Sequence, residues 1–235
     1  MRLSLTPRKQ RHPVVRALAG ASVTGRRAMH PRRHVLGLRR AAGVRAAIAE
    51  ADAALFTAIR SRATGADVVP IVRRFSALGE NATVWHAVAL AGAAVDNQRR
   101  GGWLRASGTI LIAQVTCTTI KQTIRRRRPV IANLPPLVGT ISGLSFPSSH
   151  AGSSVAAARV LAPLVGGTWI YGPAGAMALS RVYLGVHFPS DIAVGAVVGS
   201  VIGGVGRKAV DDAAAPPEPM PPAAAEQPPH QAGRA

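Results

Sequence analysis

From Ile192 to Gly206 the chain runs fifteen residues without a charged side chain, Ser200 being the one polar group. A helix that is apolar all round must be buried or lie in lipid, and this stretch is not alone. Five segments, 82–95, 103–120, 149–165, 168–184 and 191–206, approach the ~20 apolar residues that cross a bilayer. A chain of 235 residues is too short to bury five such helices from water. The segments are rich in Ala, Gly, Ser and Thr, the small residues that let helices approach closely in lipid. Gly195, Gly199 and Gly203 repeat every four residues and predict one smooth face on the last helix. The expected fold is therefore all-α, a polytopic membrane bundle of five to six transmembrane helices over residues 47–208.

The flanks read differently. Residues 1–46 hold eleven Arg, one Lys and no acid, a charge of +12. Arg16, Arg26 and Arg27 interrupt every run that could serve as a secretory signal. The first 50 residues contain no aromatic side chain and no recognisable nucleic-acid module, so nucleic acid is not an expected partner. A basic tail at the membrane surface is the plainer reading. Residues 209–235 carry seven prolines and almost no large apolar residue, a composition that predicts a disordered tail. Between 47 and 81, charges fall so often that no conventional span fits. Ala54, Leu55, Ala58 and Ile59 recur at helical spacing and suggest an amphipathic helix at the interface. The single cysteine, Cys117, excludes an internal disulfide.

Polar groups beside spans are costly and mark function by default. Lys121 and the run Arg125 to Pro129 follow the second span. Ser148, Ser149 and His150 open the third, and Ser180 and Arg181 end the fourth. His187 and Asp191 lie in the link to the fifth. Antiparallel alternation brings all of these ends to one side of the membrane. Lys121, Arg128 and Arg181 offer fixed charge and N–H donors suited to a tetrahedral oxyanion. Ser148, Ser149 and the free amides of a helix N-terminus add to that site. His187 and Asp191 stand four apart, so the carboxylate can hold one ring nitrogen while the other attacks phosphorus. His150 can protonate the departing oxygen. The scheme requires no metal and no cofactor, and the surrounding cations disfavour a metal reading of the histidines.

These clusters resemble the three-part signature of the type 2 phosphatidic acid phosphatase (PAP2) superfamily. Lys121 to Arg128 and Pro129 fit its first part, Pro147-Ser148-Ser149-His150 its second, and Ser180, Arg181, His187 and Asp191 its third. The resemblance implies a phosphohistidine on His187 supported by Asp191, His150 as general acid, and a phosphate held by Lys121, Arg128, Arg181 and Ser148. Ser149 stands where the family usually has glycine, so it is expected to tune the pocket rather than abolish it. Arg125, Arg126 and Arg127 read as an interfacial cluster, His86 and Tyr183 as packing residues, and Arg159 as a snorkelling or interior-facing side chain.

A lipid-linked phosphate is the implied substrate and the plasma membrane the implied location. Relatives act on undecaprenyl diphosphate, phosphatidylglycerophosphate, phosphatidate and, in actinobacteria, decaprenylphosphoryl phosphoribose. A soluble vanadium haloperoxidase shares the oxyanion pocket but not the apolar spans. A lipid-binding or transport protein would not need His150, His187 and Asp191 at these spacings. Arg99, Arg100, Arg105, Arg207 and Lys208 lie opposite the site, which leans the site to the extracytoplasmic face. That orientation requires one further crossing between Ala47 and Asn81 or a chain that begins at Met29.

Overall fold

The computed structural model describes residues 31–214, apart from 64 and 66. The basic segment 1–30 and the Pro-rich segment 215–235 lie outside the described residues. Two compact units divide the chain at Ala46/Ala47. Within the first, residues 31–46 are helical. Seven α-helices run through the described residues: α1 (Pro31–Arg60), α2 (Val68–Ala77), α3 (Thr83–Val95), α4 (Arg100–Ile124), α5 (Ser149–Leu161), α6 (Tyr171–Tyr183) and α7 (Pro189–Ala214). Among the described residues there is no β-strand beyond one isolated bridge, Arg127 to Leu144.

Helix α5 is the axis of the larger unit, with α7, α4 and α6 packed around it and α3 on the outer side of α4. Eleven of its thirteen residues are buried, most of them Ala, Ser or Gly. The glycine face expected on α7 is the contact surface. A Cβ on Gly195 would stand 2.4 Å from the Ser148 carbonyl oxygen, and one on Gly199 only 2.1 Å from that of Gly152. At Gly203 it would meet the Ala156 backbone at 3.0 Å. The remaining core gathers Trp85, Trp103, Ile110, Val160, Leu161 and Met177, and the Trp85 indole donates to Ser154 Oγ at 2.9 Å.

The outer surface is apolar instead of polar. Leu111, Ile112 and Val115 on α4, Leu90 on α3, Leu179 on α6, and Val197, Val201 and Val205 on α7 are all exposed. Exposed apolar side chains on four helices suit lipid. Among the described residues one helix, α7, is both long and apolar enough to span by itself. Helices α3, α5 and α6 have 13 residues each, about 20 Å of helix, and are shorter than the apolar runs that predicted them. The difference lies in the connections: Pro163, Gly166 with φ +72° and Gly167 turn the chain between α5 and α6 inside one apolar stretch.

One boundary departs from the sequence reading. Helix α7 continues past Lys208 to Ala214, supported by i,i+4 pairs of Arg207 with Asp211 at 2.9 Å and Lys208 with Asp212 at 3.2 Å. In α1 the Leu55, Ala58 and Ile59 side faces outward, whereas Asp52, Phe56 and Arg60 are buried. The inward polar pair is stable there because both residues have partners: Asp52 meets Arg126, and Arg60 donates to the Pro135 carbonyl at 2.8 Å.

The α5–α7 contact sets the stability of the bundle. Gly199→Leu forces a side chain against a backbone oxygen that cannot retreat, and is expected to destabilise by about 3 kcal/mol or more. Gly175→Ala, where a Cβ meets nothing within 4 Å, should raise stability by about 0.5–1 kcal/mol. Thermal unfolding in detergent measures both.

Candidate active site

The site is built where helix ends converge. Arg125 stops α4 in the left-handed region, φ +56°, and the chain then loops back so that the Ser145 amide donates to the Arg126 carbonyl at 2.8 Å and the Arg128 amide to that of Gly143 at 3.2 Å. Ser148 caps α5, its Oγ accepting from the Ala151 amide. Helix α6 ends in a Schellman turn with Gly185 at φ +79°: the Gly185 amide donates to Val182 O and the Val186 amide to Arg181 O. This reversal carries His187 back towards Arg181. Pro189 opens α7, and the Asp191 carboxylate accepts from the Phe188 amide at 2.8 Å. The Ser148 amide donates to the Asp191 carbonyl at 3.0 Å, joining the two N-termini.

Lys121, Arg128, Ser149, His150, Arg181 and His187 line one pocket of about 230 Å³. Asp191 lies behind His187 and is fully buried. Ser148 is also fully buried and spends its hydroxyl on the cap instead of lining the pocket. Arg128 donates from Nε to Ser142 O at 2.8 Å and from Nη1 to Val186 O at 2.7 Å. The same Nη1 stands 3.3 Å from His187 Nε2. A guanidinium only donates, so His187 Nε2 presents its lone pair and Nδ1 carries the proton. That Nδ1 faces Asp191 Oδ2 at 3.5 Å. Burial, joined by the Arg128 and Arg181 charges and opposed by Asp191, pushes the His187 imidazole down to about 4. Burial, joined by the Arg181 charge, draws Arg128 down to about 10, which leaves it cationic at neutral pH.

Several pocket groups carry no motif. Ser76, at the end of α2, accepts from Arg181 Nη1 at 2.8 Å through its hydroxyl, and its carbonyl lies 3.3 Å from His150 Nε2. Glu80 Oε2 lies 3.6 Å from the same nitrogen. Beside it Asn81 and Ala82 hold φ of +50° and +59°, a strained turn of the kind found at functional sites. Gln114, Thr118 and Gln122 form an i, i+4, i+8 stripe on the pocket side of α4; that spacing was visible in the sequence but was masked by the apolar run around it. Arg125 and Arg127 are exposed, as an interfacial cluster should be, but Arg126 is turned inward onto Asp52 and Asp191. His86 pairs with Ser107 at 2.8 Å and Arg159 with Ser200 at 3.0 Å, both apart from the pocket. Tyr183 lines a separate apolar groove with Phe75 and Ile59.

The lowered His187 value has a stability consequence. Between about pH 6.5 and 4 the unfolded chain binds a proton at this residue that the folded state excludes, so stability falls as pH drops through that window. The melting temperature should decline from pH 7 to pH 4, and His187→Asn should flatten part of that decline.

The PAP2 superfamily profile matches residues 102–214. The decaprenylphosphoryl-5-phosphoribose phosphatase of Mycobacterium tuberculosis is 40% identical over 133 residues, 57% of this chain and 75% of the relative. The protein of the same name from Mycolicibacterium smegmatis is 40% identical over 147 residues, 61% of this chain and 80% of that one. Among solved structures, Aquifex aeolicus LpxE aligns with a TM-score of 0.55 at 24% identity, over 66% of this chain and 93% of its own. A transmembrane PAP2 type phosphatidylglycerolphosphate phosphatase from Bacillus subtilis aligns with a TM-score of 0.57 at 23% identity, over 71% and 87%. Helix order, the meeting of the three motifs in one pocket and these likenesses agree: the chain belongs to the PAP2 superfamily.

Proposed function

We propose that the protein is a multi-pass membrane phosphatase that removes a phosphate monoester from a polyprenyl-linked sugar phosphate, with His187 as nucleophile. The observation that carries this is the His187 ring: Nε2 bears its lone pair into a pocket of three cations, with Asp191 behind Nδ1. Lys121, Arg128 and Arg181 bind the phosphate dianion, displacing the Arg128–His187 contact, and the Ser149 hydroxyl adds a donor. The Nε2 lone pair forms an N–P bond as the P–O ester bond breaks, and the leaving oxygen takes a proton from His150. A water oxygen then attacks phosphorus and gives its proton to His150. The N–P bond breaks and inorganic phosphate leaves.

Two observations support a sugar next to the phosphate. Both mycobacterial relatives carry the name decaprenylphosphoryl-5-phosphoribose phosphatase. The wall of the pocket on α4 is polar, and Gln114 Oε1 is buried there with no hydrogen-bond partner among the described residues. An unpaired acceptor needs a donor. A ribose hydroxyl supplies one; a prenyl diphosphate or phosphatidate presents only acceptors and apolar chain at that point. The basic residues Arg99, Arg100, Arg105, Arg207 and Lys208 sit at the helix ends opposite the pocket, supporting an extracytoplasmic site.

Phosphate release by detergent-purified protein, with EDTA present, tests the reading against decaprenylphosphoryl phosphoribose 5-phosphate, undecaprenyl diphosphate, phosphatidylglycerophosphate and phosphatidate. The sugar phosphate should turn over fastest, and His187→Ala should lose at least about 1,000-fold. Gln114→Leu should raise KM for the sugar phosphate and leave phosphatidate unaffected. Faster release from the diphosphate would overturn the substrate assignment. A reporter fused beyond Ala214 should prove cytoplasmic.

A further inference from the structure

Behind the nucleophile lies a second charged group that the motifs do not contain. Arg126 donates from Nη1 to Asp191 Oδ1 at 2.9 Å and from Nη2 to Asp52 Oδ2 at 2.7 Å, so one guanidinium joins two carboxylates from α7 and α1. Asp52 also takes the Ser190 amide at 2.8 Å and the Ser190 hydroxyl at 2.5 Å. Arg126 Nη1 reaches Ser190 Oγ at 2.7 Å, and its guanidinium carbon lies 4.2 Å from the centre of the Phe188 ring. Phe188 in turn packs on Phe56 of α1 at 5.8 Å between centroids. The carboxylates are shut away, with side-chain exposures of 4% for Asp52 and 0% for Asp191.

The pocket lining includes neither Asp52 nor Arg126, so they do not touch phosphate. Among the described residues their charged path to His187 runs through Asp191. One of its oxygens, Oδ2, holds the Phe188 amide and faces His187; the other, Oδ1, is held by Arg126. With both oxygens engaged the carboxylate plane is fixed, and the His187 ring behind it keeps Nδ1 protonated and Nε2 aimed at the pocket. Asp52 matters because a lone Arg126 would spend its whole charge on Asp191 and weaken the support that carboxylate gives the imidazole. A buried carboxylate left unpaired is equally costly, so the group works as a unit.

We propose that Asp52 and Arg126 are positioning residues for phosphoryl transfer, orienting His187 through Asp191. The proposal rests on His187 as nucleophile. The test uses the full chain in detergent and p-nitrophenyl phosphate, a phosphomonoester whose leaving group needs no proton from His150 and which makes no demand on lipid or sugar. Arg126→Gln should lower kcat per folded molecule by roughly 10- to 100-fold, the range outer partners of functional side chains carry, with KM within about twofold of wild type. Asp52→Asn should lower kcat less. The double variant should be no worse than Arg126→Gln alone, because the two act through one carboxylate. Arg126→Lys keeps the charge but cannot bridge both carboxylates, and should fall between wild type and Arg126→Gln; it also serves if Arg126→Gln does not fold. A rise in KM at constant kcat would overturn the proposal by making Arg126 a phosphate contact. Unchanged kcat with a lower melting temperature would overturn it by leaving only a clamp on α1, and multiplying effects would overturn the shared path. His187→Ala separates the two levels: turnover surviving there removes the nucleophile reading itself, whereas turnover lost there but kept in Arg126→Gln removes only the bridge.

Discussion

Everything at the pocket depends on how closely α5 and α7 approach. Backbone contact at Gly152 and Gly199, with Gly195 against the Ser148 carbonyl, leaves no room for a side chain between the helices. At that separation their N-termini meet, and the Ser148 amide reaches the Asp191 carbonyl. Two motifs 38 residues apart in sequence, counted from Ser149 to His187, thereby share one wall. A methyl group in this seam would move the base of the pocket that His150 and His187 line. In lipid, where apolar side chains gain nothing from leaving the solvent, such packing is the force available to hold the helices.

The pocket that results is costly without its ligand. Lys121 and Arg181 are buried and Arg128 half-buried, and among the described residues Glu80 is the one carboxylate lining the space beside them. Arg181 Nε has no hydrogen-bond partner among the described residues. Burying like charges together is unfavourable in any protein interior, and the bundle carries the cost in its Ala- and Trp-lined core further along α5. In the proposed reading a phosphate dianion relieves it, satisfying the donors and cancelling most of the charge, so that a preference for phosphate comes from a folded state held in an electrostatically incomplete arrangement.

Much of this was legible in the sequence because the informative residues follow fixed local rules. Apolar runs gave the helices, the four-residue glycine spacing gave a smooth face on α7, and span alternation alone placed Lys121, Arg128, His150, Arg181 and His187 together. The Schellman turn at Gly185 explains why Arg181 and His187 must be six apart: the turn needs that length to fold the chain back on the helix end. What stayed hidden depends on long-range packing. Arg126 sits in a run of four arginines with nothing local to distinguish it, and its partner Asp52 is 74 residues away. Ser76 and Glu80 lie in a stretch whose charges disguised it as a surface helix.

In the proposed reading, helix α4 serves lipid and sugar together. Leu111, Ile112 and Val115 face outward, while Gln114, Thr118 and Gln122 line the pocket, and their three- and four-residue spacing from Leu111 and Val115 puts the polar strip directly beside the apolar one on the helix. A polyprenyl chain can remain in the bilayer against the first surface while the group attached to it crosses to the second. The phosphate then reaches Lys121, one turn beyond Thr118 on the same helix. In the proposed reading, substrate selection needs no enclosed tunnel for the chain: the membrane holds the lipid, the α4 stripe takes up the hydroxyls, and the cations commit only to the phosphate. That division explains how a pocket of about 230 Å³, far smaller than a decaprenyl lipid, suffices for the reaction.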